Sequence, residues 1–293
     1  MAMKFDTMII GQVCLDTNTD FDGRTEHRYG GAVLYSGYAA NSIGKKVAVV
    51  PKGNPSVTNA TEAFKGTGIT VFERPSKDST LMENVYFTAD RERRRSRCLA
   101  VIDPYTPADI PDVETGVYHL AGLCYGDIGT DIILECARRG DVAMDIQCML
   151  RHVEPDQSLK LHDWPEKKEY LKYIRYLKTD AAEAEILTGL TDREEAARLM
   201  YSWGAKEIVI THNTEVIAYD GQRIYRAPLK PRNLSGRTGR GDTTFAGYIT
   251  ERQSCGIQEA LTFSAVLVSL KMETPGPFTG TRQDVLKYIK DFY

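Results

Sequence analysis

The 293-residue sequence predicts an α/β protein: a three-layer, doubly wound, mostly parallel sheet with helices on both faces. Two observations predict it. Strand-like runs of three to five apolar residues alternate with helical stretches of 10–15 residues, the pattern of βαβ units. No Pro/Gly/Ser-rich linker, low-complexity tract or repeat interrupts that alternation, so residues 1–293 read as one domain.

Taken in order, Met8-Ile9-Ile10-Gly11 is a buried strand, and Gly30-Gly31 opens a helix from Ala32 to Ile43. Gly44 ends that helix as a left-handed C-terminal glycine would. Val47 to Val50 is the next strand, Val117 to Leu120 another, and Ile128 to Arg139 a helix that stops at Gly140. Val142-Ala143-Met144 is again strand-like, and Thr191-Asp192-Arg193-Glu194 has the form of a capping box before a helix and the strand Ile208 to Ile210. Residues 12–30 and 79–101 break the pattern by alternating polar and apolar side chains. They read as antiparallel strands standing off the main sheet, a small β-sheet placed to act as a lid.

Composition narrows the function. A formal net charge of −3 leaves no basic surplus for nucleic-acid binding, and no apolar run approaches the roughly 20 residues of a membrane span. The six cysteines form no C-x-x-C pair and the five histidines no H-E-x-x-H, which points to free thiols rather than a zinc site or disulfide framework. The first residues lack the apolar core of a signal peptide, and with the free thiols this gives a cytoplasmic expectation.

One segment carries chemistry: Ser235-Gly236-Arg237-Thr238-Gly239-Arg240-Gly241-Asp242, followed by an apolar helical pattern from Phe245. Glycines there let consecutive N–H groups converge at a helix N-terminus into an anion-binding hollow, and Asp242 at its mouth is placed to accept a hydroxyl proton. The same residues also suit a glycine-rich turn with Asp242 as a helix cap. A Walker A loop is excluded, because Ala39 and Lys46 stand where its glycine and Ser/Thr belong, and no G-x-G-x-x-G follows the first strand.

The segment resembles the second signature of the ribokinase-like (PfkB) carbohydrate kinase family, D-T-T-G-A-G-D, matching it at Thr238, Gly239, Gly241 and Asp242. The resemblance runs along nearly the whole chain and implies a ribokinase-like fold and ATP-dependent phosphoryl transfer with Mg²⁺. It implies that Asp242 is the catalytic base and that Gly239, Arg240 and Gly241 shape the anion hole, with Thr238 beside the nucleotide. Asp16, closing the first strand region, corresponds to the position that grips substrate hydroxyls, and Gly30-Gly31 to the glycine pair that lets substrate approach the backbone. Asp180-Ala181-Ala182-Glu183 resembles the N-x-x-E motif, which implies magnesium held near Asp180 and Glu183. Thr211-His212-Asn213 falls where the family has T-x-G, putting Thr211 and Asn213 near the nucleotide phosphates. Ser264, on a helix from Ala260 to Leu270, corresponds to the adenine-pocket region. Tyr35, Asp180, Asn213 and Gly236-Arg237 depart from the family's usual residues, and Arg240 replaces a small one.

For the acceptor, Asp145-Ile146-Gln147 with Arg151 follows a strand, where ligands of parallel sheets bind, and looks like the inositol kinase branch. Gln147 would hydrogen-bond a polyol or cap a loop. The basic run 91–97 reads as a hairpin tip from which Arg97 would reach an anionic substrate. The expected partner is a small sugar, polyol or nucleoside, with a phosphosugar and a non-catalytic sugar or nucleoside sensor as alternatives. A homodimer through the lid's exposed edges is a further expectation.

Overall fold

The structure is a computed structural model and describes residues 3–88 and 93–293. Residues 91 and 92 of the basic run therefore lie outside the described residues.

A nine-stranded sheet forms the middle layer. Its order is Ile224–Pro228, Glu215–Tyr219, Glu207–Thr211, Tyr176–Asp180, Asp141–Asp145, Glu114–Leu120, Lys4–Ile10, Val47–Val50 and Thr70–Val71. The last seven run parallel, and the first two close the edge as an antiparallel meander. Period-two alternation sends neighbouring side chains to opposite faces. Met8 and Ile10, like Ile208 and Ile210, pack with Ile132, Leu187 and Met200 on one side. Val209 packs with Phe245, Tyr248 and Leu261 on the other, and Ile9 with Val33 and Ala40 on that same face. Both faces of the sheet are covered, so its strands are continuous apolar runs.

The helix after the first glycine pair spans Ala32–Ser42, and Gly44 has φ +84° as its position requires. Other expectations shift in detail. Gly140 ends its helix in extended backbone, φ 179°, so any residue type fits there. The helix Arg193–Ser202 is capped by Asp192, whose carboxylate accepts the Glu194 and Glu195 N–H groups, rather than by Thr191. The helix expected from Phe245 begins five residues earlier, as Arg240–Glu251, with Gly239 at its N-cap. Asp242 consequently sits in the first turn and is not the cap.

The residues that alternate polar and apolar side chains form a separate four-stranded sheet, in the order Thr25–Gly30, Cys14–Thr19, Leu81–Tyr86 and Arg94–Ala100. It is mixed rather than wholly antiparallel. Each pair of consecutive strands is an antiparallel hairpin, but the hairpins join through their first strands, which leave the main sheet in the same direction and pair in parallel. All six cysteines are free thiols. Among the described residues no helix is long and apolar enough to cross a membrane.

Candidate active site

Parallel strands that end together bring their last residues to one edge. Asp145, Asp180 and Thr211 each close a strand, and all three line a cleft of about 420 Å³ between that edge, the small sheet and the start of the helix Arg240–Glu251.

Asp242 and the glycine loop form its floor. Gly239 adopts φ +76° and ψ 15°, and a Cβ there would fall 2.2 Å from the Tyr35 ring, so no other residue fits. This turn directs the first helical N–H groups into the cleft. Those of Gly241 and Asp242 have no partner among the described residues, as expected of a helix start awaiting an anion. The Asp242 carboxylate likewise accepts no hydrogen bond from the described residues and faces the cleft. Burial, and secondarily the nearby Asp145 carboxylate, raises its pKa to about 6 against the opposing pull of Lys178, Arg151 and Lys271.

Beneath this floor lies a buried charge cluster. Asp145 and Lys178 are register partners on adjacent strands, which brings the Lys178 ammonium to 2.9 and 3.1 Å from the two Asp145 oxygens and 3.5 Å from Glu183. The ammonium comes within 3.1 Å of the Gly241 Cβ position, so a larger residue there would press on the ion pair. Paired twice, the Lys178 ammonium is held well above the ordinary lysine range despite its burial. Asp180 and Glu183 form a capping box: Asp180 Oδ1 accepts the Glu183 N–H at 2.8 Å, and Glu183 Oε2 accepts the Asp180 N–H at 2.7 Å. Asp180 lines the cleft, whereas Glu183 lies behind it, and burial raises its carboxyl above the usual range.

The small sheet supplies the opposite wall. Asp16, Asn18, Met82, Asn84, Tyr86 and Arg94 face inward from alternating positions of its strands. Gly30 pairs with Cys14 on the neighbouring strand, and a Cβ there would fall 2.2 Å from the Asp16 carboxylate, so glycine leaves that carboxylate its space. Burial raises the Asp16 pKa to about 6, opposed by Arg94. Gly31, Gln147 and Arg151 also line the cleft, with Arg151 donating to Gln147 Oε1.

Most residues singled out in the sequence converge here: Asp16, Gly31, Gln147, Asp180, Thr211, Thr238, Gly239, Arg240, Gly241 and Asp242. Gly30 and Glu183 stand just behind that lining, and three others lie elsewhere. Arg97 is an odd neighbour of Arg94 on its strand, so it points to the outer face and pairs with Glu83 at 2.9 Å. Ser264 is fully buried, donates to the Leu261 carbonyl and packs against Gly247. Asn213 is exposed and accepts a 2.7 Å hydrogen bond from Arg240 at the rim. Arg151 joins the cleft residues as the arginine of the Asp145-Ile146-Gln147 pattern, whereas Lys178, Asn84 and Lys271 carry no role in the sequence reading. The strand-end position of Lys178 beside Asp180 is a signal that the sequence carried, whereas Lys271 belongs to the cleft only through the fold.

Comparison with known proteins places this geometry in a family. The fold matches a pyrophosphate-dependent kinase in the ribokinase family, solved in complex with sulfate, with a TM-score of 0.87 and 34% identity over 96% of this chain and 99% of that one. The chain belongs to the ribokinase family. A pyrophosphate-dependent kinase of that family, complexed with a pyrophosphate analogue and myo-inositol, matches with a TM-score of 0.86 and 34% identity, over the same shares of the two chains. A cytidine kinase from Thermococcus kodakarensis is 26% identical over 254 residues, 83% of this ribokinase-family chain and 87% of that enzyme. No family model matches the chain.

Proposed function

We propose that this ribokinase-family kinase phosphorylates a hydroxyl of a small cyclic polyol, with Asp242 as the base and an inorganic pyrophosphate-type donor. One observation carries the reading: an unpaired Asp242 carboxylate, with its pKa raised to about 6, beside the free Gly241 and Asp242 amides. The acceptor hydroxyl gives its proton to Asp242 as its oxygen bonds to phosphorus in line with the leaving phosphate. The P–O bond to that phosphate breaks, and it departs with the bonding electron pair. The loop amides and Arg240 stabilise the charge on the transferring group.

Acceptor preference follows from the wall opposite. Asp16, Asn18, Asn84, Gln147 and Arg151 offer donors and acceptors around the cleft, a set suited to adjacent hydroxyls. The similarity to the kinase crystallised with myo-inositol supports the same class. The similarity to a cytidine kinase favours a nucleoside as the second reading.

At the donor end, segments 232–238 and 271–276 are in backbone contact. Gly236 donates to the Met272 carbonyl at 2.8 Å, Ser235 Oγ to the Glu273 carbonyl at 2.6 Å, and Arg232 grips Glu273 through several bonds. A nucleobase could enter between them only by breaking these contacts, whereas Arg237 and Arg240 line the cleft in front. This supports pyrophosphate over the ATP that the family resemblance implied.

Magnesium fits the residues present. No cluster of three metal-ligating side chains exists among the described residues, but Asp145, Asp180 and Glu183 surround a single lysine and leave excess negative charge. An ion that keeps most of its water and binds through one or two carboxylates suits that set, with Asp180 at the cleft and Glu183 behind it. When bound, it would neutralise donor phosphate oxygens. The small sheet acts as the lid, excluding water from the transfer.

The test is phosphate and ADP release with Mg²⁺ and either pyrophosphate or ATP, against inositols, pentoses, hexoses, phosphosugars and nucleosides. Turnover with an inositol and pyrophosphate supports the reading. Turnover with ATP alone overturns the donor assignment. Binding without turnover on any donor would leave a sensor.

A further inference from the structure

The helix Ile257–Lys271 ends on a lysine that is 1% exposed and belongs to no ion pair among the described residues. A buried ammonium without a carboxylate is costly and needs another form of compensation. Here two main-chain carbonyls supply it: Lys271 Nζ donates to Gly236 O at 2.6 Å and to Thr238 O. The Tyr35 ring, whose centroid is 5.0 Å away, covers the same ammonium, and that ring also abuts Gly239. Asp242 acts on it only through space.

These carbonyls belong to the peptide units that lead into Gly239, the cap whose left-handed turn aims the next N–H groups at the cleft. Successive peptide dipoles in a turn are coupled: carbonyls held toward a cation on one side leave amides facing the other. Apolar packing does not explain the charge, because a methionine stem would fill the same space. We propose that Lys271 is a positioning residue, a tethered cation that holds the Gly236 and Thr238 carbonyls and thereby keeps the 239–242 amides set for a phosphoryl group. This rests on the reading of residues 239–242 as the phosphoryl-binding loop. Burial brings the Lys271 pKa down to about 8, opposed by Asp242, so its charge depends on this cage.

The experiment uses the full chain with Lys271→Met and Lys271→Ala. It measures melting temperature, methylenediphosphonate affinity by calorimetry, and phosphoryl transfer from pyrophosphate. Lys271→Met keeps the stem and is expected to melt near wild type, to bind the diphosphonate about tenfold or more weakly, and to turn over about 10²–10³-fold more slowly, the scale of losing an oxyanion donor. Lys271→Ala leaves space for a small cation, so ethylammonium or propylammonium is expected to restore its turnover and diphosphonate affinity by about tenfold, while tetramethylammonium does not. Neither amine is expected to rescue Lys271→Met, where no space is left. The proposal is overturned if Lys271→Met stays within about threefold of wild type in both measures, or if a folded Lys271→Ala responds to no primary ammonium. If Lys271→Ala does not fold, Lys271→Met alone decides. If wild type transfers phosphate from no donor, the kinase reading fails. The diphosphonate affinity still tests Lys271 in that case, with equal binding by wild type and Lys271→Met overturning its role.

Discussion

Replacing Asp242 with Asn should separate activity from stability in opposite directions. A general base contributes about 10²–10⁴ to rate, so turnover of Asp242→Asn should fall by that factor while diphosphonate binding stays close to wild type. Stability should rise. The folded carboxyl has its pKa raised from 3.8 to about 6, so the native state holds the proton more tightly than the unfolded chain does. Well below pH 3.8 both states are protonated and the residue is neutral toward folding. As pH rises through the window between 3.8 and about 6, the native state is left with a disfavoured charge, and the cost is complete above it. Two pH units correspond to about 3 kcal/mol at most, which would raise the melting temperature of the Asn variant by several degrees at pH 7 and far less at pH 4. The wild-type rate should climb through pH 6 and stand roughly tenfold lower at pH 5 than on its plateau. Calorimetric melting and initial rates across pH 4–8 read both effects. A variant that melts lower than wild type at pH 7, or that turns over at the wild-type rate, would refute the environment assigned to Asp242.

Lys178→Met should strand Asp145 and Glu183 as unpaired buried carboxylates and cost about 3–5 kcal/mol in urea unfolding at pH 7, with a smaller loss at pH 5 as Glu183, whose carboxyl burial already raises, takes up a proton. Gly239→Ala should cost more than about 1 kcal/mol and lower turnover steeply, because φ +76° and the Tyr35 ring both oppose a Cβ; steady-state kinetics and thermal melting check it. Asn84→Leu should raise the acceptor KM more than it lowers kcat, since Asn84 lines the cleft from the small sheet and not from the glycine loop. Arg97→Ala should change neither parameter by more than about twofold, because its partner Glu83 is on the outer face.

The sheet was legible because buried parallel strands must be apolar, and Met8-Ile9-Ile10 and Ile208-Val209-Ile210 have few other fates. The glycine loop was legible because a helix start that binds anions needs glycine at fixed places. Side-chain direction on the small sheet was less so. Arg97 and Arg94 differ by three residues and therefore face oppositely, but which faces inward depends on a register set by pairing with Leu81–Tyr86. Ser264 could be placed on a helix but not on the helix face that packs against Gly247. Lys271 is separated from Gly236 by 35 residues, and no local pattern announces that its ammonium ends among backbone carbonyls.

The departures from the family pattern argue for one reworked unit rather than decay. Tyr35 fills the space against Gly239 and covers Lys271; Lys271 binds the carbonyl of Gly236; Arg240 reaches from the anion loop to bond Asn213 while still lining the cleft. Positions changed in the first signature, the second signature and the segment after Thr211 are thus joined by contact. Drift after loss of function has no reason to keep such contacts, since each residue would be released from selection separately. A loop whose carbonyls hold a lysine and whose rim carries arginines is instead a coherent way to bind a compact, highly charged donor without a base to anchor it. On the proposed reading, the changed residues would belong to the donor site, and the unchanged Asp242, Gly239 and Gly241 to the chemistry they serve.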